Sequence, residues 1–169
     1  MTDLGKMRYF LGIEVFQTSR GIHISQHKYV NEVLKRFDLE ECNPIQNPMV
    51  PGIKLTADDE SGRVDVTRFK QVVGSLMYVT VTRPDIQFAV NMVSPFSAAP
   101  TESHYAAAKR IIRYLKGTTD LGIWYDRGGE KKLEVYTDSD FAGDVDSRKS
   151  TSGYVFIWNG GAFAWSSKK

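Results

Sequence analysis

The sequence predicts an α+β fold in which strands at both ends of the chain flank a helical middle. Residues 9–25 and 121–165 are rich in β-branched and aromatic residues spaced near a period of two. Residues 67–116 instead repeat apolar residues at helical spacing. We therefore expect a β-hairpin and one helix in residues 1–40, a connection over 41–66, a helical bundle over 67–120 and a partial β-sheet over 121–169.

The first predicted elements are two antiparallel strands and a helix. Residues 9–16 form one strand, and Arg20-Gly21 turns the chain into a second strand at residues 22–25. Ser25 is placed to cap a helix over about 26–37. One face of that helix carries four apolar residues at i, i+3, i+4 and i+7: Val30, Val33, Leu34 and Phe37.

The connection over 41–66 has no periodic pattern. It contains Pro44, Pro48 and Pro51 and an acidic run over residues 58–60. Because so long a connection is unusual inside a compact domain, we expect that it either wraps the surface or is mobile.

Three helices are predicted to follow. The first runs from about residue 67 to residue 80. Pro84 opens the second, where a first-turn proline is tolerated. Thr101 or Ser103 caps the third, and Gly117 ends it. Each helix has one apolar stripe, which is typical of a small bundle.

Beyond Gly117 the period changes to two. Residues 121–125 and 133–137, separated by a turn over 127–129, have the pattern of a hairpin. Asn159-Gly160 is the strongest short hairpin signal in the chain, and it joins a strand at 153–158 to another at 162–165.

Composition excludes several classes of protein. With 41% hydrophobic and 25% charged residues, the chain has the balance of a globular protein and not of a disordered one. It contains no apolar stretch long enough to span a membrane. Cys42 is the only cysteine, so neither an internal disulfide nor a thiolate zinc site is expected, which fits an intracellular, cytoplasmic or nuclear location.

Two carboxylates follow the strand at 133–137. Asp138 and Asp140 stand two residues apart, so on a strand they would point to the same face. Paired carboxylates of this kind bind Mg²⁺. The alternative is a strand end that runs into a polar turn, where aspartate is common, and spacing alone favours that alternative.

Several blocks resemble the Pol polyproteins of copia-type LTR retrotransposons. Residues 136–144 (YTDSDFAGD), 146–154 (DSRKSTSGY) and 165–169 (WSSKK) resemble the opening of their RNase H domain. DLG at 3–5 and YFLGIEV at 9–15 resemble the end of the reverse transcriptase palm and its primer-grip strands. ISQHKYV at 24–30, VGSLMY at 73–78, TRPDI at 82–86 and RYLKGT at 113–118 match the following region in order, so the resemblance covers essentially the whole chain.

The resemblance implies a palm-derived β-hairpin, a helical thumb-like bundle and the first three strands of an RNase H-like sheet. Asp138 would be the first metal-binding carboxylate of RNase H, and Asp140 a weaker candidate ligand for the same Mg²⁺. No glutamate follows Glu134, so we expect an incomplete nuclease site. The polymerase aspartates would lie before the start of the chain, and the Asp58-Asp59 pair is interpreted as a solvated acidic loop.

The resemblance also implies a nucleic-acid grip. Lys70, Gly74 and Tyr78 lie at i, i+4 and i+8 on one helix face, where a glycine allows a sugar edge to approach and Tyr78 stacks on it or bonds to it. Gly12 and Glu14 would hold the primer end. The alternative is that Gly74 permits close helix packing and that Tyr78 is half-buried core.

A basic helix face is a further candidate contact. This face carries Lys109, Arg113 and Lys116. It would either contact phosphates non-specifically or be an ordinary solvated helix face, and we favour the second interpretation.

We therefore expect a segment of a reverse transcriptase–RNase H polyprotein, whose intact family copies RNA into DNA and degrades the hybrid. Alone, the chain is expected to be catalytically inactive, to hold no Mg²⁺ tightly and to bind an RNA–DNA hybrid or template–primer duplex weakly and in a salt-dependent way. The remainder of a Pol polyprotein is the other expected partner, and no membrane is involved. An uncovered sheet surface and edge predict marginal stability and self-association.

Two alternatives remain open: an enzyme completed by a neighbouring polypeptide, and a host-recruited interaction module that kept the fold and lost the chemistry.

Overall fold

The structure is a computed structural model that describes residues 5–128 and 131–169. It confirms an α+β architecture, with two antiparallel sheets and a helical region between them in the chain. The strands are β1 (Tyr9–Phe10), β2 (Ile13–Gln17), β3 (Gly21–Ser25), β4 (Gly122–Asp126), β5 (Leu133–Ser139), β6 (Ser152–Trp158) and β7 (Gly161–Lys168). The helices are α1 (His27–Arg36), α2 (Val66–Val79), α3 (Gln87–Val93) and α4 (Glu102–Lys116), with short 3₁₀ turns at Pro84–Ile86 and Ser94–Ala98.

The first sheet has the order β1-β2-β3-β4, and it corrects two predictions. The single strand predicted over residues 9–16 is two antiparallel strands, β1 and β2, because Leu11 and Gly12 have positive φ and turn the chain between them. β4 pairs antiparallel with β3, with Ile24 opposite Ile123, and it does not form the predicted hairpin with β5. The pattern of 121–125 identified a strand, but α4 returns the chain to the open side of β3, where Ile123 is buried. Gly129, in the turn predicted between β4 and β5, lies outside the described residues, as do Asp3 and Leu4 of the first resembling block.

The second sheet has the order β5-β6-β7. The hairpin predicted at Asn159-Gly160 is confirmed, since both residues have positive φ (52° and 78°) and Trp158 lies opposite Gly161. Positive φ at both central residues is the geometry of a type I′ turn. Tyr125 of β4 donates a hydrogen bond to the Ala162 carbonyl (2.7 Å), which ties this sheet to the first one.

The core lies among the four helices. The predicted apolar faces are largely confirmed: Val30, Val33, Leu34 and Phe37 of the first helical segment are buried, as are the predicted apolar residues of the other three helices except Met77 of α2, which is 56% exposed. Thr101 caps α4 as predicted, in a capping box with His104. No helix within the described residues is long and apolar enough to cross a bilayer.

The connection between α1 and α2 wraps the surface. Leu39 and Leu55 are buried in the helical core, and Arg63 forms a backbone bridge to Thr101. Of the two acids in this connection, Asp58 is exposed, but the Asp59 carboxylate accepts hydrogen bonds from serine and threonine hydroxyls of the connection and of the start of α4. Those hydrogen bonds hold the pKa of Asp59 well below its usual range. Asp59 therefore also anchors the connection, a role that the prediction of a solvated acidic loop did not include.

Candidate nucleic-acid interface

The exposed face of α2 carries two of the three residues predicted to grip nucleic acid. Lys70 and Gly74 are both exposed. Apart from its chain neighbours and the backbone of its own helix turns, a Cβ atom added at Gly74 would meet no heavy atom within 4 Å. Close packing within the described chain therefore does not explain this glycine, although a glycine inside a helix costs about 0.5–1 kcal/mol relative to alanine.

Tyr78, the third residue of that face, is turned toward the β1–β2 hairpin. Its hydroxyl donates a hydrogen bond to the Leu11 carbonyl, and its ring packs edge-on against Tyr29, with 4.7 Å between the ring centroids. The side chain is half-buried. Because the hydroxyl proton is already used inside the chain, the geometry of Tyr78 favours the packing role over a free stacking role.

Gly12 lies directly against Tyr78. Leu11 and Gly12 both have positive φ (45° and 79°), so they form a type I′ turn between β1 and β2. A Cβ atom at Gly12 would lie 2.6 Å from the Tyr78 hydroxyl oxygen. The structure thus brings two of the predicted site residues together, and both the turn and this contact require glycine.

Glu14 holds the start of α1. Its Oε2 accepts the backbone N–H of Lys28 (2.9 Å), and its Oε1 lies 3.9 Å from the Lys28 Nζ. Glu14 is paired across the sheet with Ser25, next to the helix start. The prediction that Ser25 caps α1 is wrong, because Gln26 is the N-cap residue without a side-chain cap and a carboxylate from the neighbouring strand binds the helix N–H group instead.

The two aspartates predicted to bind a metal line one cleft. This cleft has a volume of about 650 Å³ and lies between the second sheet and the segment around Pro84 and Phe88. Asp138 is exposed at the end of β5. Asp140 Oδ1 accepts the backbone N–H groups of Thr151 (2.9 Å) and Gly143 (3.2 Å), so this carboxylate also shapes the loop after β5.

Clustering of candidate metal ligands around the cleft is limited among the described residues. Among the described residues, no group of three or more His, Cys, Asp or Glu side chains is arranged to hold a metal ion. A nearby third carboxylate, Asp144, accepts the backbone N–H groups of residues 146 and 147 and pairs with the Lys169 ammonium.

The basic face of α4 is partly engaged within the chain. Arg113 Nε donates to the Asn43 carbonyl (3.0 Å), and the Lys109 ammonium lies 5.5 Å from the centroid of the Tyr105 ring. These contacts support the interpretation of this face as an ordinary helix surface.

A buried ion-pair cluster was missed by the sequence reasoning. The Arg83 guanidinium is only 2% exposed and forms a double hydrogen bond with the Asp85 carboxylate (2.9 and 2.7 Å). It also donates to the Thr118 carbonyl and hydroxyl (2.8 and 2.7 Å), and the Tyr114 hydroxyl donates to Asp85. Burial alone would raise the pKa of Asp85, but the hydrogen bonds and charge of Arg83 outweigh it and lower that pKa.

The cluster joins two of the resembling blocks, since Arg83 of TRPDI bonds to Thr118 of RYLKGT. An Arg-x-Asp spacing was visible in the sequence, but nothing in the sequence identified Thr118 as its partner.

The amino-acid sequence of the chain is similar to sequences of retrotransposon proteins. A family model described as reverse transcriptase (RNA-dependent DNA polymerase) matches residues 1–51. The Pol polyprotein of transposon RE1 from Arabidopsis thaliana is 42% identical over 99% of this chain and 11% of its own length. The Pol polyprotein of transposon TNT 1-94 from Nicotiana tabacum is also 42% identical, over 99% of this chain and 13% of its own length.

A much shorter relative matches as well. An uncharacterized mitochondrial protein of Arabidopsis thaliana is 34% identical over 100% of this chain and 70% of its own length. The chain spans only about a tenth of the length of the transposon polyproteins that it matches. No solved structure matches it.

Proposed function

Since this chain belongs to the Pol polyprotein family of copia-type LTR retrotransposons, we propose that it grips nucleic acid within the reverse transcriptase–RNase H region without catalysing a reaction itself. The proposed ligand is the backbone of an RNA–DNA hybrid or a template–primer duplex. The binding surface is the exposed face of α2 around Lys70 and Gly74.

The observation that carries this proposal is the open space above Gly74. A glycine in the middle of a 14-residue helix weakens that helix, and no heavy atom of the described chain approaches closely enough to require it. A nucleic-acid backbone that lies against the helix at this point would need the position to carry no side chain, which explains a glycine there. Lys70, one turn earlier on the same face, is placed to meet a phosphate.

The proposed division of the chain follows the order of the resembling blocks. Residues 1–40 would form the end of the palm, 67–120 a thumb-like region and 121–169 the start of an RNase H-like domain. The strand pairing moves the last of these boundaries: because β4 pairs with β3, we propose that the RNase H-like part begins at β5 and not at residue 121. The absence of catalysis is proposed because the described residues contain neither a Tyr-x-Asp-Asp turn nor a set of three clustered metal ligands.

Asp138 has a proposed role at the cleft beside β5. It would contribute one carboxylate to a Mg²⁺ site whose other ligands come from elsewhere in the polyprotein. When bound, magnesium would position a water for attack on a phosphodiester and stabilise the leaving oxygen. The residues of this chain would only orient that ion and keep the cleft open to the hybrid.

The grip is tested by fluorescence anisotropy with a labelled RNA–DNA hybrid over a range of salt concentrations. Replacing Lys70 with alanine should weaken binding and lower the slope of log K against log salt by about 1, because one phosphate contact is lost. Gly74→Leu should weaken binding about tenfold by holding the backbone of the hybrid away from the helix.

The matched control is Lys35→Ala, which removes an equally exposed lysine from α1. If Lys35→Ala lowers the salt slope as much as Lys70→Ala does, binding is a non-specific effect of net charge and the proposal is wrong. Unchanged binding by Gly74→Leu would also contradict it.

A further inference from the structure

An apolar groove lies between α4 and the connection. It has a volume of about 880 Å³, and Ala106 and Ala107 lie at its α4 wall, where small side chains leave room beside the helix. Both walls come from the middle of the chain, residues 39–64 and 102–113, so neither end of the chain takes part in forming the groove. Six larger apolar side chains contribute to the lining: Leu39, Met49, Val50, Ile53, Val64 and Tyr105.

The connection wall of the groove is fastened to α4. Arg113 Nε donates to the Asn43 carbonyl (3.0 Å), and the Ile45 N–H donates to the Arg113 carbonyl (3.4 Å). The Arg110 guanidinium donates to the Asn47 side-chain oxygen. The groove is therefore a preformed feature of the fold, as ligand sites usually are.

Three cations line this groove beside a single carboxylate. The cations are Lys109, Arg110 and Arg113, and the carboxylate is Glu102. Among the described residues, none of the three cations forms an ion pair with a carboxylate. The two arginines bond to neutral oxygens, and the Lys109 ammonium lies over the Tyr105 ring. The contacts that hold these side chains therefore leave their charge uncompensated, which favours a negatively charged ligand.

The apolar lining selects the kind of anion. A nucleic-acid backbone would place polar and charged groups against apolar side chains, and burying such groups without partners is unfavourable. A peptide with both acidic and apolar side chains can place its apolar groups in the groove and its carboxylates beside the cations. A carboxylate would also suit Arg110, whose Nε–H is buried without a hydrogen-bond partner among the described residues, because guanidinium groups bind carboxylates through paired hydrogen bonds.

We propose that the groove between α4 and the connection is a docking site for a partner protein, which binds through a segment with net negative charge and apolar side chains. The apolar side chains of that segment occupy the space beside Ala106, and its carboxylates meet Lys109, Arg110 and Arg113. This site does not depend on the nucleic-acid grip, which uses the exposed face of α2.

Fluorescence anisotropy with a designed peptide tests the chemistry of the site. The probe is a labelled peptide of about twelve residues in which glutamates flank leucines, and we expect it to bind with a Kd below about 100 μM. A peptide in which serines replace the leucines should bind at least about tenfold more weakly, because it keeps the charge and loses the apolar contacts. A peptide in which lysines replace the glutamates should be weakened by a similar factor.

Two variants with matched controls locate the binding site. Lys109→Glu should weaken peptide binding about tenfold. Its control is Lys116→Glu, which changes the net charge equally on the same helix but at a residue outside the groove lining, and it should have much less effect. Ala106→Trp should weaken binding at least about tenfold by filling the groove, whereas Ala106→Ser should preserve binding. Circular dichroism checks that each variant keeps its fold.

The single cysteine provides an independent readout. Cys42 lines the groove and is half-buried. The probe peptide, at about ten times its Kd, should slow the reaction of Cys42 with N-ethylmaleimide about tenfold, because only the unoccupied fraction reacts. In Ala106→Trp, the same peptide concentration should give much less protection.

A probe peptide that fails to bind at concentrations up to about 1 mM would overturn the proposal. So would equal binding by the leucine-free peptide, or an equal loss of binding in Lys116→Glu and Lys109→Glu. Protection of Cys42 by an RNA–DNA hybrid and not by the peptide would show that the cations serve nucleic acid, and it would contradict the proposed partner.

Discussion

Replacing Arg83 with alanine should strongly destabilise the fold, because it leaves the Asp85 carboxylate without its counter-ion. Four hydrogen bonds of 2.7–2.9 Å are lost, two to Asp85 and two to Thr118. Removing one partner of a fully buried ion pair costs about 3–5 kcal/mol. Since Asp85 is 35% exposed, water recovers part of that loss, and we expect a cost of about 2–4 kcal/mol.

The assay is urea unfolding followed by far-UV circular dichroism. Lys28→Ala is the control: it removes an exposed ammonium that lies 3.9 Å from the half-buried Glu14 carboxylate, and it should cost less than about 1 kcal/mol. A loss below about 1 kcal/mol for Arg83→Ala would refute the view that this ion pair organises the helical region.

Acid provides a second readout of the same cluster. The folded-state pKa of Asp85 is lowered, so its contribution to stability is present above the unfolded pKa of about 3.9 and is lost as the pH falls through the folded-state pKa. Arg83→Ala removes the group that lowers this pKa. The difference in unfolding free energy between the two proteins should therefore shrink as the pH falls below about 4.

Three further perturbations test other parts of the structure. Glu14→Ala should cost about 0.5–2 kcal/mol in urea unfolding, because α1 loses its N-terminal hydrogen-bond acceptor, whereas Glu32→Ala on the exposed side of α1 should change little. Burial lowers the pKa of His104, so below about pH 6.5 the unfolded chain takes up a proton more readily than the folded chain and thermal stability should fall. His104→Asn should make the melting temperature less dependent on pH between about pH 7 and 5. The purified chain should not cleave an RNA–DNA hybrid with Mg²⁺, and magnesium-dependent cleavage that Asp138→Asn abolishes would show that the proposed inactivity is wrong.

The helices could be predicted because their signals are local. The spacing of Val30, Val33 and Leu34 identifies a buried face from ten consecutive residues, and the structure buries all three. Asn159-Gly160 predicted its hairpin for the same reason, since a type I′ turn depends on the φ preferences of two adjacent residues.

Strand partners could not be predicted in the same way. The alternating pattern of residues 121–125 shows that one face is buried, but it does not state which strand lies alongside. β4 pairs with β3, almost one hundred residues earlier, because α4 delivers the chain to that open edge. Short sequence separation favoured β5 and led to the wrong pairing.

The features of the candidate site can be separated in the same way, into those set by local sequence and those set by tertiary contacts. The sequence by itself determined the helical elements, the strand at Asp138 and the periodic placement of Lys70, Gly74 and Tyr78 on one helix face, since each depends on neighbours within a few turns. Only the tertiary structure decided that Tyr78 bonds to the β1–β2 turn while Gly74 remains open, that Glu14 caps α1, and that Arg83 is buried against Thr118. Those outcomes depend on which distant groups satisfy each buried donor and acceptor, and residue spacing along the chain does not contain that information.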